Sequence, residues 1–146
     1  MSLLSNAGVE FLLRWLHFLA GITWIGLLYY FNFVQGPFFA EADAATKSAA
    51  TQKLVPRALW WFRWSALFTF LSGALIIAKR IGEAPAGTSP WSSPWAVAIL
   101  TGALFGTVMF LNVWGVIWRN QKVVIASAVT AASGGQANPV AAAAGR

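Results

Sequence analysis

Apolar residues fill three long stretches of this chain, and polar residues collect between them. The run from Trp15 to Val34, WLHFLAGITWIGLLYYFNFV, is about 20 residues of almost wholly apolar sequence, enough for a helix to cross a bilayer core of about 30 Å. A second run extends from about Ala58 to Ala78, preceded by Pro56 and Arg57; proline is tolerated in a first helical turn, so the pair marks a helix start. The third runs from about Trp95 to Trp118. The pattern therefore predicts an all-α integral membrane protein, a bundle of three transmembrane helices at about 15–34, 58–78 and 95–118. Met1 to Arg14 reads as a lead lying in the interface. Gly36 and Pro37 end the regular pattern of the first span, and Glu41 to Lys53 reads as a loop with a short surface helix. Gly82 to Pro94, with Pro85, Gly87, Pro90 and Pro94, is expected to be irregular. Val123 to Ala132 continues as a short helix before Gly134 and Gly135. The domain division is a transmembrane helical domain at 1–122 and an Ala/Gly-rich tail at 123–146.

Composition agrees with that class. Of 146 residues, 58% are hydrophobic and 10% charged, where soluble domains carry about 25% charged residues. There is no cysteine, so disulfides, thiolate metal sites, covalent c-type haem attachment and cysteine nucleophiles are excluded. The net charge is +6, but the basic residues are scattered between apolar spans instead of lining one face, so anionic lipid headgroups and not nucleic acid are the expected counterpart. Met1 to Glu10 has no Lys or Arg and lacks the basic region of a signal peptide, so the first span is expected to stay as an anchor.

Candidate chemistry centres on the first span. His17 is the single histidine, and it shares a helical stripe with Gly21, Trp24 and Leu28 at spacings of four, three and four. An imidazole inside a span points to function unless it is otherwise satisfied. Two readings stand side by side: a cofactor ligand, or an interfacial histidine one turn from Arg14 that reaches headgroup water. In the second span Arg63 lies among Trp60, Trp61 and Trp64, where it either snorkels to the surface or holds an anion such as a haem propionate. Ser72 and Gly73 allow close helix approach, and Asn32 offers a hydrogen bond to a neighbouring helix. Ala98, Gly102 and Gly106 recur every four residues and give the third span a smooth packing face. Glu10, Glu41, Asp43 and Glu83 all fall outside the spans, so no acid–base or nucleophilic site is visible. Three spans leave one side of a bundle open, and other membrane subunits are expected.

Orientation follows from Lys and Arg on each side. Arg14, Lys79 and Arg80 stand on the N-terminal side, against Lys47, Lys53, Arg57, Arg119, Lys122 and Arg146 on the other, three against six. The expectation is an N-terminus outside, in the periplasm, and a C-terminus in the cytoplasm, with His17 toward the outer face.

The runs RWLHFLAGITWIGLLYYFNFVQGPFF, VPRALWWFRWSALFTFLSGALI and LNVWGVIWRNQKVVIA resemble the N-terminal membrane domain of the bacterial cytochrome c-linked urate oxidases, or urate hydroxylases. The likeness strings tryptophan-rich segments together in order over nearly the whole chain. It implies a multi-span domain of the bacterial inner membrane, often fused to a cytochrome c domain, with urate oxidised and electrons passed to a c-type cytochrome; a fourth helix of that family is lacking here. The first-span histidine is also similar to the haem-binding histidine of membrane proteins of the protoporphyrinogen oxidase type. Carried over by residue, His17 alone matches such a ligand position.

Three function classes result. One is a haem b-binding redox domain with His17 as the iron ligand and Arg14 or Arg63 for propionates. The others are a cofactor-free accessory subunit of a larger membrane complex, and a pigment protein with His17 on a chlorophyll magnesium. Met109 is the other candidate iron ligand within a span. His17 lies two residues past Trp15 and Met109 fourteen past Trp95, so at about 1.5 Å per residue their depths differ by roughly 18 Å. On that count a second axial ligand comes from outside the chain, or the iron is five-coordinate.

Overall fold

The computed structural model describes residues 5–83, 91 and 94–144, with the side chains of 142 and 143 excepted. Most of the predicted irregular segment after Gly82, the first four residues and Arg146 lie outside the described residues. Three long helices dominate: α1 Asn6–Glu41, α3 Val55–Gly82 and α4 Pro94–Ala132, each long and apolar enough to cross a membrane. Between the first two lies α2, Ala44–Lys53, and a short turn of helix, α5, spans Ala141–Ala144.

Each predicted apolar run lies within one of the three helices, but every helix is longer, and α4 extends almost wholly at its C-terminal end. The 36 residues of α1 extend about 54 Å, against about 40–45 Å for a bilayer including headgroups. Helical hydrogen bonding does not stop where the apolar composition does. Ser5 caps α1 by accepting from the Gly8 N–H, so residues 6–14 of the predicted interfacial lead are the first turns of the helix itself. At the other end Gly36 and Pro37 do not break α1. Residues Tyr30–Gln35 wind as a π-helical turn, and Pro37 enters directly after it, at the start of the α-helical piece that follows, without ending the helix. The chain breaks instead at Ala42 and Asp43. There Asp43 caps α2: its carboxylate accepts from the Thr46 N–H at 2.9 Å and hydroxyl at 2.7 Å, and those bonds, the hydroxyl's foremost, hold its pKa below the ordinary carboxylate value.

α1 and α3 pack antiparallel along nearly their whole length. Their register is fixed at one end by Glu10, which pairs with Lys79 at 3.4 Å and Arg80 at 3.3 Å, and at the other by Phe31, edge-on to Phe62 at 5.4 Å. α4 packs antiparallel on α3, with Phe70 stacked on Phe110 at 4.4 Å and Trp64 edge-on to Trp114 at 6.1 Å. Thus α1 and α4 run parallel, and α3 is the middle element. The core gathers Trp24, Val55, Leu59, Phe62, Ala66 and Val113. Outward-facing side chains such as Phe18, Leu19, Ile22, Leu75, Val97, Leu104 and Phe105 are exposed, a surface that only lipid or another apolar partner can cover.

Candidate functional site

His17 sits on α1 where α3 presents small residues. Thr69 and Ser72 are buried, Gly73 completes the gap, and the imidazole fits against them. His17 Nδ1 lies 2.9 Å from the Thr69 carbonyl oxygen. A carbonyl can only accept, so Nδ1 carries a proton, which in the neutral ring leaves the lone pair on Nε2. Ser72 Oγ lies 3.3 Å from the same nitrogen, but its hydroxyl hydrogen is directed to the Phe68 carbonyl at 2.6 Å, so it too is an acceptor for the ring N–H. Gly73 is required by the same fit: a Cβ there would stand 2.9 Å from His17 Cε1 and 3.2 Å from Nδ1.

Nε2 has no hydrogen-bond partner among the described residues. His17 is itself exposed, and it lines a groove of about 500 Å³ along the flank of α1 with Phe18, Gly21, Ile22, Ile25, Gly26 and Tyr29. The groove is almost wholly apolar and open along one side. Gly21 lies both in the groove and against α3, 3.7 Å from the Thr69 methyl measured from an ideal Cβ.

The other candidates divide. Arg14 is one turn from His17 at the same end, engaged with Glu10 in an ion pair that Lys79, Arg80 and Glu83 extend. Trp24 stands on the same stripe two turns deeper but is 4% exposed, in the core. Arg63 is not at this site: its guanidinium lies 3.9 Å from the Trp118 ring and 5.3 Å from that of Trp114, on the α4 side of α3. Asn32 bonds the Leu28 carbonyl of its own helix at 2.8 Å, not a neighbouring helix, because its side chain is on the exposed face. A Cβ added at Gly102 or Gly106 would meet nothing within 4 Å, so the smooth face of α4 has no close partner at those two positions among the described residues.

The depth count for Met109 is corrected by the register. His17 meets Thr69 and Ser72, Phe70 meets Phe110, and so Met109 is at about the same level as His17. Counting from Trp15 and Trp95 misaligned the two helices, because α1 starts nine residues before Trp15 and α4 only one before Trp95. Azimuth separates the two side chains instead. Met109 packs on the core together with Leu27 and Phe31 of α1, and at about 100° per residue these lie to one side of the His17–Trp24 line. Phe18, Ile22, Ile25 and Tyr29 of the groove lie to the other.

Sequence reasoning missed Thr69, since the group it contributes is a backbone carbonyl. A signal existed: Ser65, Thr69, Ser72 and Gly73 form a stripe of small residues within the second span, the kind of surface onto which a bulky ring from another helix can fold. No group of three or more His, Cys, Asp or Glu residues suited to hold a metal ion occurs among the described residues. Compared with protein-family models, with curated proteins and with solved structures, the chain matches none.

Proposed function

We propose that the chain is a haem b-binding membrane domain or subunit of the urate oxidase-like kind, carrying electrons toward a c-type cytochrome, with His17 as the iron ligand. The observation that supports this is the placement of His17: one ring nitrogen donates to a fixed carbonyl, and the other, without a hydrogen-bond partner among the described residues, belongs to a residue lining an apolar groove. Histidines that bind metals characteristically donate their other N–H to a carbonyl or carboxylate, which fixes the tautomer and raises ligand basicity. Haem b, when bound, supplies a one-electron carrier. The protein's own contributions are distinct. Thr69 orients the ring, Gly73 admits it, Gly21 and Gly26 leave room for a flat group to lie close, and Ile22 and Ile25 keep water out. Arg14 is the cation at the right end for a propionate, once it is shared with Glu10; Arg63 is not. With Met109 turned to the core, His17 would hold the haem from this chain, and any further ligand to its iron would have to come from a partner subunit.

The optical spectrum of the purified protein tests the reading. A Soret band and reducible α bands are expected, lost in His17→Ala. Far-red absorption would indicate chlorophyll instead. The absence of any pigment would favour the second reading, a cofactor-free accessory subunit, which the open space at Gly102 and Gly106 supports because it suits a neighbouring helix. We place the chain in the bacterial inner membrane with its N-terminus periplasmic. A reporter fused after Arg146 is then active only on the cytoplasmic side, and periplasmic activity would reverse the orientation.

A further inference from the structure

At the end of the molecule opposite His17, α4 runs on past Trp118 to Ala132 and the chain then turns back on it. The turn is built: Gly134 takes a φ of +85°, the Gly135 N–H donates to the Thr130 carbonyl at 3.0 Å, and the Asn138 N–H donates to Ser127 Oγ at 2.9 Å. The result is a pocket of about 590 Å³ whose lining includes Arg119, Lys122, Ser127, Thr130, Gln136 and Asn138.

Its chemistry is that of an anion site. Among the described residues neither Arg119 nor Lys122 forms an ion pair; the pairs present all involve Glu10 or Glu83 at the far end. Arg63 adds a third cation nearby. It lies 3.9 Å from the Trp118 ring, and Lys122 lies 5.8 Å from that same ring, so one indole has two cations beside it with no paired carboxylate on either. The acids at this end, Glu41 and Asp43, face six cations, Lys47, Lys53, Arg57, Arg63, Arg119 and Lys122, and Asp43 is committed to its cap. Ser127 is 8% exposed. Its oxygen accepts from Asn138 while its hydroxyl hydrogen has no acceptor among the described hydrogen bonds, so a buried donor is free at the pocket wall.

We propose that this pocket binds a phosphate group, held by Arg119 and Lys122 and by a hydrogen bond from Ser127. Two cations and a neutral donor match a phosphate's charge and its several acceptor oxygens. The pocket has room beyond the phosphate itself for the group it esterifies. Arg119 is one residue past the aromatic belt and Ser127 nine residues past Trp118, about 13 Å along the axis. The site thus reaches from the headgroup layer outward, and either the headgroup of an anionic phospholipid or a water-soluble phosphate can enter it.

The test uses the full chain in phosphatidylcholine nanodiscs. One arm titrates inorganic phosphate calorimetrically; the other adds phosphatidylglycerol and counts retained lipid by native mass spectrometry. One saturable site per chain is expected in at least one arm: in the first for a soluble phosphate, in the second alone for a lipid headgroup. The double variant Arg119→Gln/Lys122→Gln is expected to bind about tenfold or more weakly. The control Lys53→Gln/Arg57→Gln removes the same charge outside the pocket and should stay within about twofold. Equal weakening by both pairs, or no saturable binding in either arm, overturns the proposal. If the double variant does not fold, Ser127→Ala serves in its place, and unaltered binding there counts against the site.

Discussion

On the proposed reading of His17 as a haem ligand, replacing Gly73 with alanine is expected to weaken haem retention about 10- to 100-fold, the usual cost of losing the group that orients a metal-binding histidine. The added Cβ would lie 2.9 Å from Cε1 and 3.2 Å from Nδ1 of His17, closer than van der Waals contact allows. The ring has to move, and the movement breaks its 2.9 Å hydrogen bond to the Thr69 carbonyl. Alanine is the better helix former by about 1 kcal/mol, so a general loss of helix would not account for the effect. Haem per chain and the reduced α band measure it. Gly102→Ala is the control, since a Cβ there meets nothing within 4 Å. Unchanged haem content in Gly73→Ala would place the ligand, or the cofactor, elsewhere.

Phe62→Ala is expected to cost about 2 kcal/mol of stability in detergent micelles or bilayers, less than in a soluble core. Phe62 is 2% exposed, stands edge-on to Phe31 and belongs to the core shared by α1, α3 and α4. In water such a truncation loses both a transfer term and a cavity term; in lipid the apolar alternative solvent removes most of the first. A cavity of about 100 Å³ at about 24 cal/mol per Å³ leaves roughly 2.4 kcal/mol. Equilibrium unfolding of the variant beside the parent protein gives the difference. A change below about 0.5 kcal/mol, the level of ordinary surface substitutions, would mean that the three helices do not pack through this residue.

The spans were legible because a bilayer demands a length of apolar sequence, and Trp15–Val34, Ala58–Ala78 and Trp95–Trp118 meet that demand. The helix ends were not legible, because hydrogen bonding continues through residues such as Glu10 and Arg119 that composition assigns to the interface. His17 stands out in the sequence as the single histidine, within a span, and Ser72 and Gly73 were legible as a place of close approach. That these belong to one another was not, since pairing of helices depends on register, and register here is set by Glu10 with Lys79 and Arg80 and by Phe31 with Phe62. Met109 shows the cost: apolar runs alone gave the wrong relative height. For Arg63 the sequence offers two readings, snorkelling to the surface or holding an anion such as a propionate, but not its setting: the three tryptophans beside it, at 64, 114 and 118, come from two helices whose contact the sequence does not announce.

The π-helical turn at Tyr30–Gln35 acts as a frame shift in α1. Phe31 and Phe39 both pack on the core, although eight residues of regular α-helix would place them about 80° apart around the axis. A π turn takes up about one extra residue, so the eight count as seven and the two rings come within about 20° of one azimuth. The apolar pattern of this helix is therefore two phases joined end to end, with His17, Trp24 and Phe31 obeying the first and Phe39 the second. The turn that precedes Pro37 thus keeps one side of the helix against the core beyond it.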